Sequence, residues 1–89
     1  MDFIHAREHL QQGDLVVVNS SHQCNISLTT DNEFNNYKSG RQFRHCGGHY
    51  KMFPVKIAVP HADNWNVTVD LGGGSANIRC SIGYVKRNT

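Results

Sequence analysis

The stretch HAREH, His5 to His9, sets two histidines four residues apart with a glutamate beside the second. In this H-x-x-E-H spacing a helix offers two imidazoles to one zinc and a carboxylate as general base. A helix over residues 2–12 fits: Phe3, Ala6 and Leu10 form one stripe, Asp2 caps the start and Gly13 ends it. His5 and His9 then lie off that stripe, on the solvated side. Zinc hydrolysis also requires a third ligand from a second element, an open coordination position and a substrate cleft. Glu33 is the only other glutamate in the chain, and the motif lies in the first ten residues, where chains fray. Surface histidines are the expectation here, and a zinc-dependent hydrolase using His5, His9 and Glu8 is the remote alternative.

A second set of metal-type side chains is His22 and Cys24 together with HCGGH, His45 to His49. Two short pairs of nitrogen and sulfur ligands on separate elements suit a tetrahedral site, and Gly47-Gly48 would let the backbone fold around an ion. Against this, Cys24 is in phase with Ile26 and Leu28, and Cys80 with Ile78 and Ile82. That is the placing of small core hydrophobes. A metal at His45, Cys46 and His49, or a Cys46 nucleophile served by an adjacent histidine, needs a geometry that sequence neighbours seldom have. No metal, cofactor or catalytic residue is therefore assigned.

The third set is YKSGRQFRHCGGHYK, residues 37–51. It holds Lys38, Arg41, Arg44 and Lys51 without an acid, interleaved with Tyr37, Phe43 and Tyr50 and with three glycines. Cations for phosphate, rings for stacking and bare backbone for close approach are the texture of an anion or single-stranded nucleic-acid surface. If residues 41–45 are a strand, Arg41, Phe43 and His45 share one face, and Gln42 and Arg44 take the other. The competing reading is a solvated edge whose positive charges discourage strand-to-strand aggregation. The candidate ligand contacts are Tyr37, Lys38, Arg41, Arg44, His49 and Tyr50. DLGGGS (70–75) lacks the Lys-Ser/Thr ending and following helix of a phosphate loop and reads as a tight turn. The oxygens of residues 31–36 lack the spacing of a calcium loop.

From residue 14 onward the apolar period is two. LVVV (15–18), QCNISLT (23–29), FPVKIAVP (53–60), NWNVTVDL (64–71) and NIRCSIGYV (77–85) read as strands. RQFRH (41–45) reads as one more, broken by Gly47-Gly48. TDNEFNNYKSG (30–40) reads as a turn-rich loop with one helical turn that holds Phe34 and Tyr37 inward. The prediction is one all-β domain over residues 1–89: a small antiparallel sandwich or barrel with a short N-terminal helix.

Eighty-nine residues bury only about 60–65% of the surface that the unfolded chain exposes, so the core is small. A net charge of +2 is too weak for a dedicated nucleic-acid binder. No apolar run approaches the roughly 18 residues of a membrane span, and no basic-then-apolar leader opens the chain. Three cysteines at wide spacings are no disulfide framework. The expected compartment is the cytoplasm.

The stretches HLQQGDLVVV, CNISLTTDNEFNNYKSGR, GGHYKMFPVKIAVP and WNVTVDLGGG together resemble the bacterial family known as domain of unknown function 1883. The resemblance covers nearly the whole chain. Its most specific piece is EF-NNYKSGR followed by GGH, then P-x-x-I-x-V-P, then W-x-V-x-V-D-L-G-G. It implies a compact β-rich fold in a small protein that stands alone or beside Toll/interleukin-1-receptor-like (TIR) domains, with a sensing or adaptor role. It supplies no catalytic residue and lends nothing to a metal reading of HCGGH. The expected function is a non-enzymatic binding or sensing module for an anionic ligand, acting through residues 37–51. The alternative is a protein-interaction domain that assembles through its sheet edges, with TIR-type partners or a homo-oligomer as its outcome.

Overall fold

The computed structural model describes residues 3–70 and 79–87. Their order is β1 (Phe3–Leu10), β2 (Leu15–Ser20), β3 (Cys24–Thr30), α1 (Asp31–Lys38), β4 (Cys46–Tyr50), β5 (Val55–Ala58), β6 (Asp63–Asp70) and β7 (Cys80–Val85). The strands form two antiparallel sheets, β1-β6-β3-β4 and β5-β2-β7. Both sheets keep free edges among the described residues, so the fold is an open sandwich and no closed barrel. Among the described residues no helix is long and apolar enough to cross a membrane.

Alternation builds the core. Ile26 and Leu28 of β3, Trp65, Val67 and Val69 of β6, and Val16 and Val18 of β2 point between the sheets and are buried. Leu10, Cys24, Val55 and Val59 complete the cluster. The central strands of the larger sheet are buried on their outer side too. Thr29, Asn66 and Thr68 lose their solvent there although they are polar. Asn66 explains how such burial is tolerated, because a buried amide must be hydrogen-bonded. Its Nδ2 donates to Asp31 Oδ1 at 2.8 Å and to the Thr29 carbonyl at 3.4 Å, and its Oδ1 lies 2.9 Å from His5 Nε2.

Residues 3–10 are a strand, which corrects the N-terminal helix. Phe3, Ala6 and Leu10 do fit a helical stripe, but two to three isolated turns are marginal in water. An eight-residue ladder on the open edge of β6, from Phe3↔Asp70 to Leu10↔Asp63, satisfies more backbone. Four residues along a strand span about 13 Å, so His5 and His9 cannot share one ion. Each instead meets its own asparagine, Asn66 and Asn64.

The helix lies at 31–38, where one turn was expected. Thr30 caps it by accepting from the Glu33 backbone N–H at 3.5 Å, and Asp31 and Glu33 sit in its first turn, facing the positive end of the helix dipole. Its end is a Schellman turn: Arg41 N–H donates to Asn36 O at 2.8 Å and Gly40 N–H to Tyr37 O at 3.2 Å. That turn needs a left-handed residue, and Gly40 supplies it with φ +75°. The RQFRH strand is also corrected. Residues 41–45 carry no strand ladder, and β4 starts at Cys46 and runs through Gly47-Gly48.

Arg7 fastens α1 to the sheet through a two-pronged pair with Asp31, Nε to Oδ1 at 3.0 Å and Nη2 to Oδ2 at 2.7 Å. The hydrogen bond from the Arg7 guanidinium, then that from Asn66, hold the Asp31 carboxyl down at about 2, from an ordinary 3.8. A carboxyl lowered in the folded state stabilises it above the unfolded pKa and stops doing so as pH falls through the folded value. Both partners are about half exposed, so the effect is modest and salt-screened. Melting temperatures between pH 4 and pH 2 are therefore expected to fall further for the natural chain than for Asp31→Asn. Parallel curves would show that the pair contributes nothing.

Candidate ligand-binding site

The outer face of the larger sheet presents Asn25, Ser27 and Thr29 from β3, Asn66, Thr68 and Asp70 from β6, and His49 from β4. Helix α1 covers the end of this face around Asn66. Past the Schellman turn, residues 41–45 lead back to β4 and set Phe43 against Tyr37. Rings then run in a continuous row. His5 stacks on Phe34 at 4.2 Å between centroids, Phe34 meets Tyr37 at 6.2 Å, Tyr37 meets Phe43 edge-on at 5.1 Å, and Phe43 meets His45 at 5.1 Å. Lys38 Nζ sits 4.9 Å from the Phe34 centroid, a cation–π contact.

Beside this row lies an open pocket of about 260 Å³. Its floor is polar: Asn25, Ser27, Thr68 and Asp70. Its wall is Tyr37, Phe43, His45 and His49. Asn25 Oδ1 accepts from His49 Nδ1 at 3.0 Å. Burial pushes the Tyr37 phenol up, and the Asp70 carboxylate pushes it in the same direction. The pocket thus joins ring faces, an amide, hydroxyls, imidazoles and one carboxylate.

The structure brings Tyr37, His45 and His49 together here, with Phe43 beside them. Arg41 is exposed, as is Arg44, whose backbone N–H donates to Glu33 Oε2 at 2.9 Å. Arg44 lines a second, less polar groove with Glu33, Pro60, His61 and Trp65. His45 lines both grooves, and Phe43 shares a third with Glu33, Gln42 and Arg44, so the grooves do not sort residues 41–45 into the two faces that a strand would give. Tyr50 lies elsewhere: β4 places it opposite Cys24 on the inner face, packed against the core. It cannot stack beside Tyr37.

Cys46 also faces inward, opposite Leu28, while His49 faces outward, so the strand parts this thiol from the His49 imidazole. Cys24 is buried and His22 exposed, with its Nδ1 2.8 Å from Ser21 Oγ. Among the described residues no three His, Cys, Asp or Glu side chains gather as for a metal ion. The expected turn after Asp70 lies outside the described residues, as do Leu71 and Ile78.

Sequence reasoning missed the floor, because Asn25, Ser27, Thr68 and Asp70 read as the solvent half of alternating strands. One signal was present. The outward positions of β3 and β6 are short polar residues with no lysine, arginine or glutamate among them, unlike a freely solvated face.

No curated protein and no solved structure matches the chain. Residues 1–88 match the model of the family described as domain of unknown function, DUF1883. With the fold of two antiparallel sheets, that match over nearly its whole length makes this chain a member of the DUF1883 family.

Proposed function

We propose that this chain is a non-enzymatic binding module, that its site is the ring-walled pocket, and that its ligand carries an anionic group. The observation that supports this reading is the convergence of Tyr37, Phe43, His45 and His49 over Asn25, Ser27, Thr68 and Asp70. In small-molecule sites apolar surface supplies area and a few polar groups fix orientation. Lys38, Arg41 and Arg44 belong to the segment that carries the rings, and their charge raises the local concentration of anions. Three free thiols suit a reducing compartment, and we assign the protein to the cytoplasm on that ground.

The test is a titration of ¹⁵N-labelled, untagged protein with aromatic, sugar, phosphate and carboxylate fragments, read by amide chemical shifts. Shifts should cluster on Asn25, Tyr37, Phe43, His49 and Thr68. Arg41→Ala with Arg44→Ala should keep the melting temperature and weaken anionic hits by on the order of tenfold or more, the scale of charged hydrogen bonds. Hits scattered over other surfaces would remove the site, and full-strength anion binding by the double variant would remove the anionic part.

One observation favours a second reading, assembly through sheet edges. Strand β4 ends its sheet and carries no lysine, arginine, aspartate or glutamate, the usual protection of an edge. A mass that rises with concentration in light scattering would favour it over ligand binding.

A further inference from the structure

We propose that the pocket takes a nucleotide and selects guanine as the base, an inference that rests on the binding reading above. Two floor residues carry the selectivity. Asn25 and Asp70 are register partners across β3 and β6, and both line the pocket. A carboxylate only accepts, and its roughly four lone-pair directions let Asp70 serve a ligand beside the partners it already has. The Asn25 side-chain oxygen is engaged by His49 at 3.0 Å, so the donor NH₂ is what Asn25 offers. An acceptor pair beside an amide donor complements the Watson–Crick edge of guanine, which presents N1–H and N2–H₂ beside the O6 acceptor. Adenine places its N1 lone pair where guanine has a proton, and that lone pair would meet the carboxylate.

Tyr37 and Phe43 give the purine an aromatic wall, an interaction that tolerates any base. The choice of base therefore falls to Asp70 and Asn25. The pocket, about 260 Å³ and open, holds a base and leaves the ribose and phosphate outside. Lys38, Arg41 and Arg44 flank the two rings in the chain and supply the positive field for that phosphate. The same chemistry is offered by a free guanine nucleotide and by a guanine within a single strand.

Calorimetry on the full, untagged chain tests this with GMP, AMP, guanosine, inorganic phosphate, and short single-stranded oligonucleotides with and without guanine. GMP should bind at least about tenfold more tightly than AMP, the discrimination of one good bidentate contact. Guanosine should bind more weakly than GMP, and phosphate more weakly still. Asp70→Asn should abolish the preference for GMP while leaving the melting temperature near that of the natural chain. Should that variant fail to fold, Asn25→Asp, which turns the donor into an acceptor, should weaken GMP by a similar factor. A guanine-containing oligonucleotide that binds far more tightly than GMP, with a steeper salt dependence, assigns the single strand as the source; equal binding assigns the free nucleotide. Equal binding of AMP and GMP, or none of either, overturns the proposal. If fragments still mark the pocket when nucleotides do not, the binding reading survives alone. If neither marks it, both fall.

Discussion

Gly47→Ala is expected to part β4 from the larger sheet. A Cβ at this position would stand 2.1 Å from the carbonyl oxygen of Ile26 and 3.0 Å from its carbon. Those atoms belong to the backbone of β3, beneath a fully buried side chain, and cannot swing aside as a surface side chain would. The residue also holds φ at +127°, a region that L side chains rarely enter. Backbone strain of this kind costs about 1–3 kcal/mol. Relieving the clash as well requires the pairs Ser27↔Gly47 and Ile26↔Gly48 to separate. A total loss of roughly 3 kcal/mol or more is expected, against about 4–13 kcal/mol for a whole domain of this size. Gly48→Ala is the control, because nothing lies within 4 Å of its added Cβ. Urea unfolding of the two variants measures the difference. A Gly47→Ala protein as stable as Gly48→Ala would mean that β3 and β4 do not pair in this register. The site should suffer with the fold, since His49 and the return of residues 41–45 both hang on β4.

Leu28→Ala is expected to cost about 3–4 kcal/mol, within the range for emptying a leucine from a core that cannot collapse. Leu28 is wholly buried, lies between Val67 and Cys46 in the ladder, and belongs to the cluster that joins both sheets. Strands held by partners on both sides give little, so most of the cavity should persist. The midpoint of urea unfolding should drop while its slope stays fixed, because the surface exposed on unfolding barely changes. A loss under about 1 kcal/mol would place Leu28 outside the core.

Strands β2, β3, β5, β6 and β7 were legible because each alternates apolar and polar residues, or runs continuously apolar, between turn residues. Two other elements were hidden by local signals that tertiary pairing overrode. Phe3, Ala6 and Leu10 mimic a helix, yet the open edge of β6 claims them. Gly47-Gly48 reads as a breaker, yet Gly47 is what lets β4 approach β3 this closely. The helix carried its signals in plain view, a Thr-x-x-Glu cap at Thr30 and a glycine end at Gly40. Its polar composition and the mere pair Phe34 and Tyr37 masked them, since a helix docked by a few rings shows little apolar period. The rings and imidazoles of the site were legible as types. Their floor was not, because only the docking of α1 and the return of residues 41–45 turn an outward strand face into a pocket.

The pairing order has a consequence for how the chain reaches this state. Among the described residues no two consecutive strands form a tight hairpin: β1 waits for β6, β2 waits for β5 and β7, and only β3 and β4 pair in sequence, with α1 between them. The first ladder contact of the chain joins Phe3 to Asp70. Loop closure must then be met before any sheet rewards it, which places folding among the slow, non-local β topologies, on the scale of milliseconds to seconds. During synthesis, at roughly 5–20 residues per second, the first two strands are without their partners until the second half of the chain has been made. The apolar run LVVV is exposed for that whole interval, and the nascent chain is the form of this protein that most invites a chaperone.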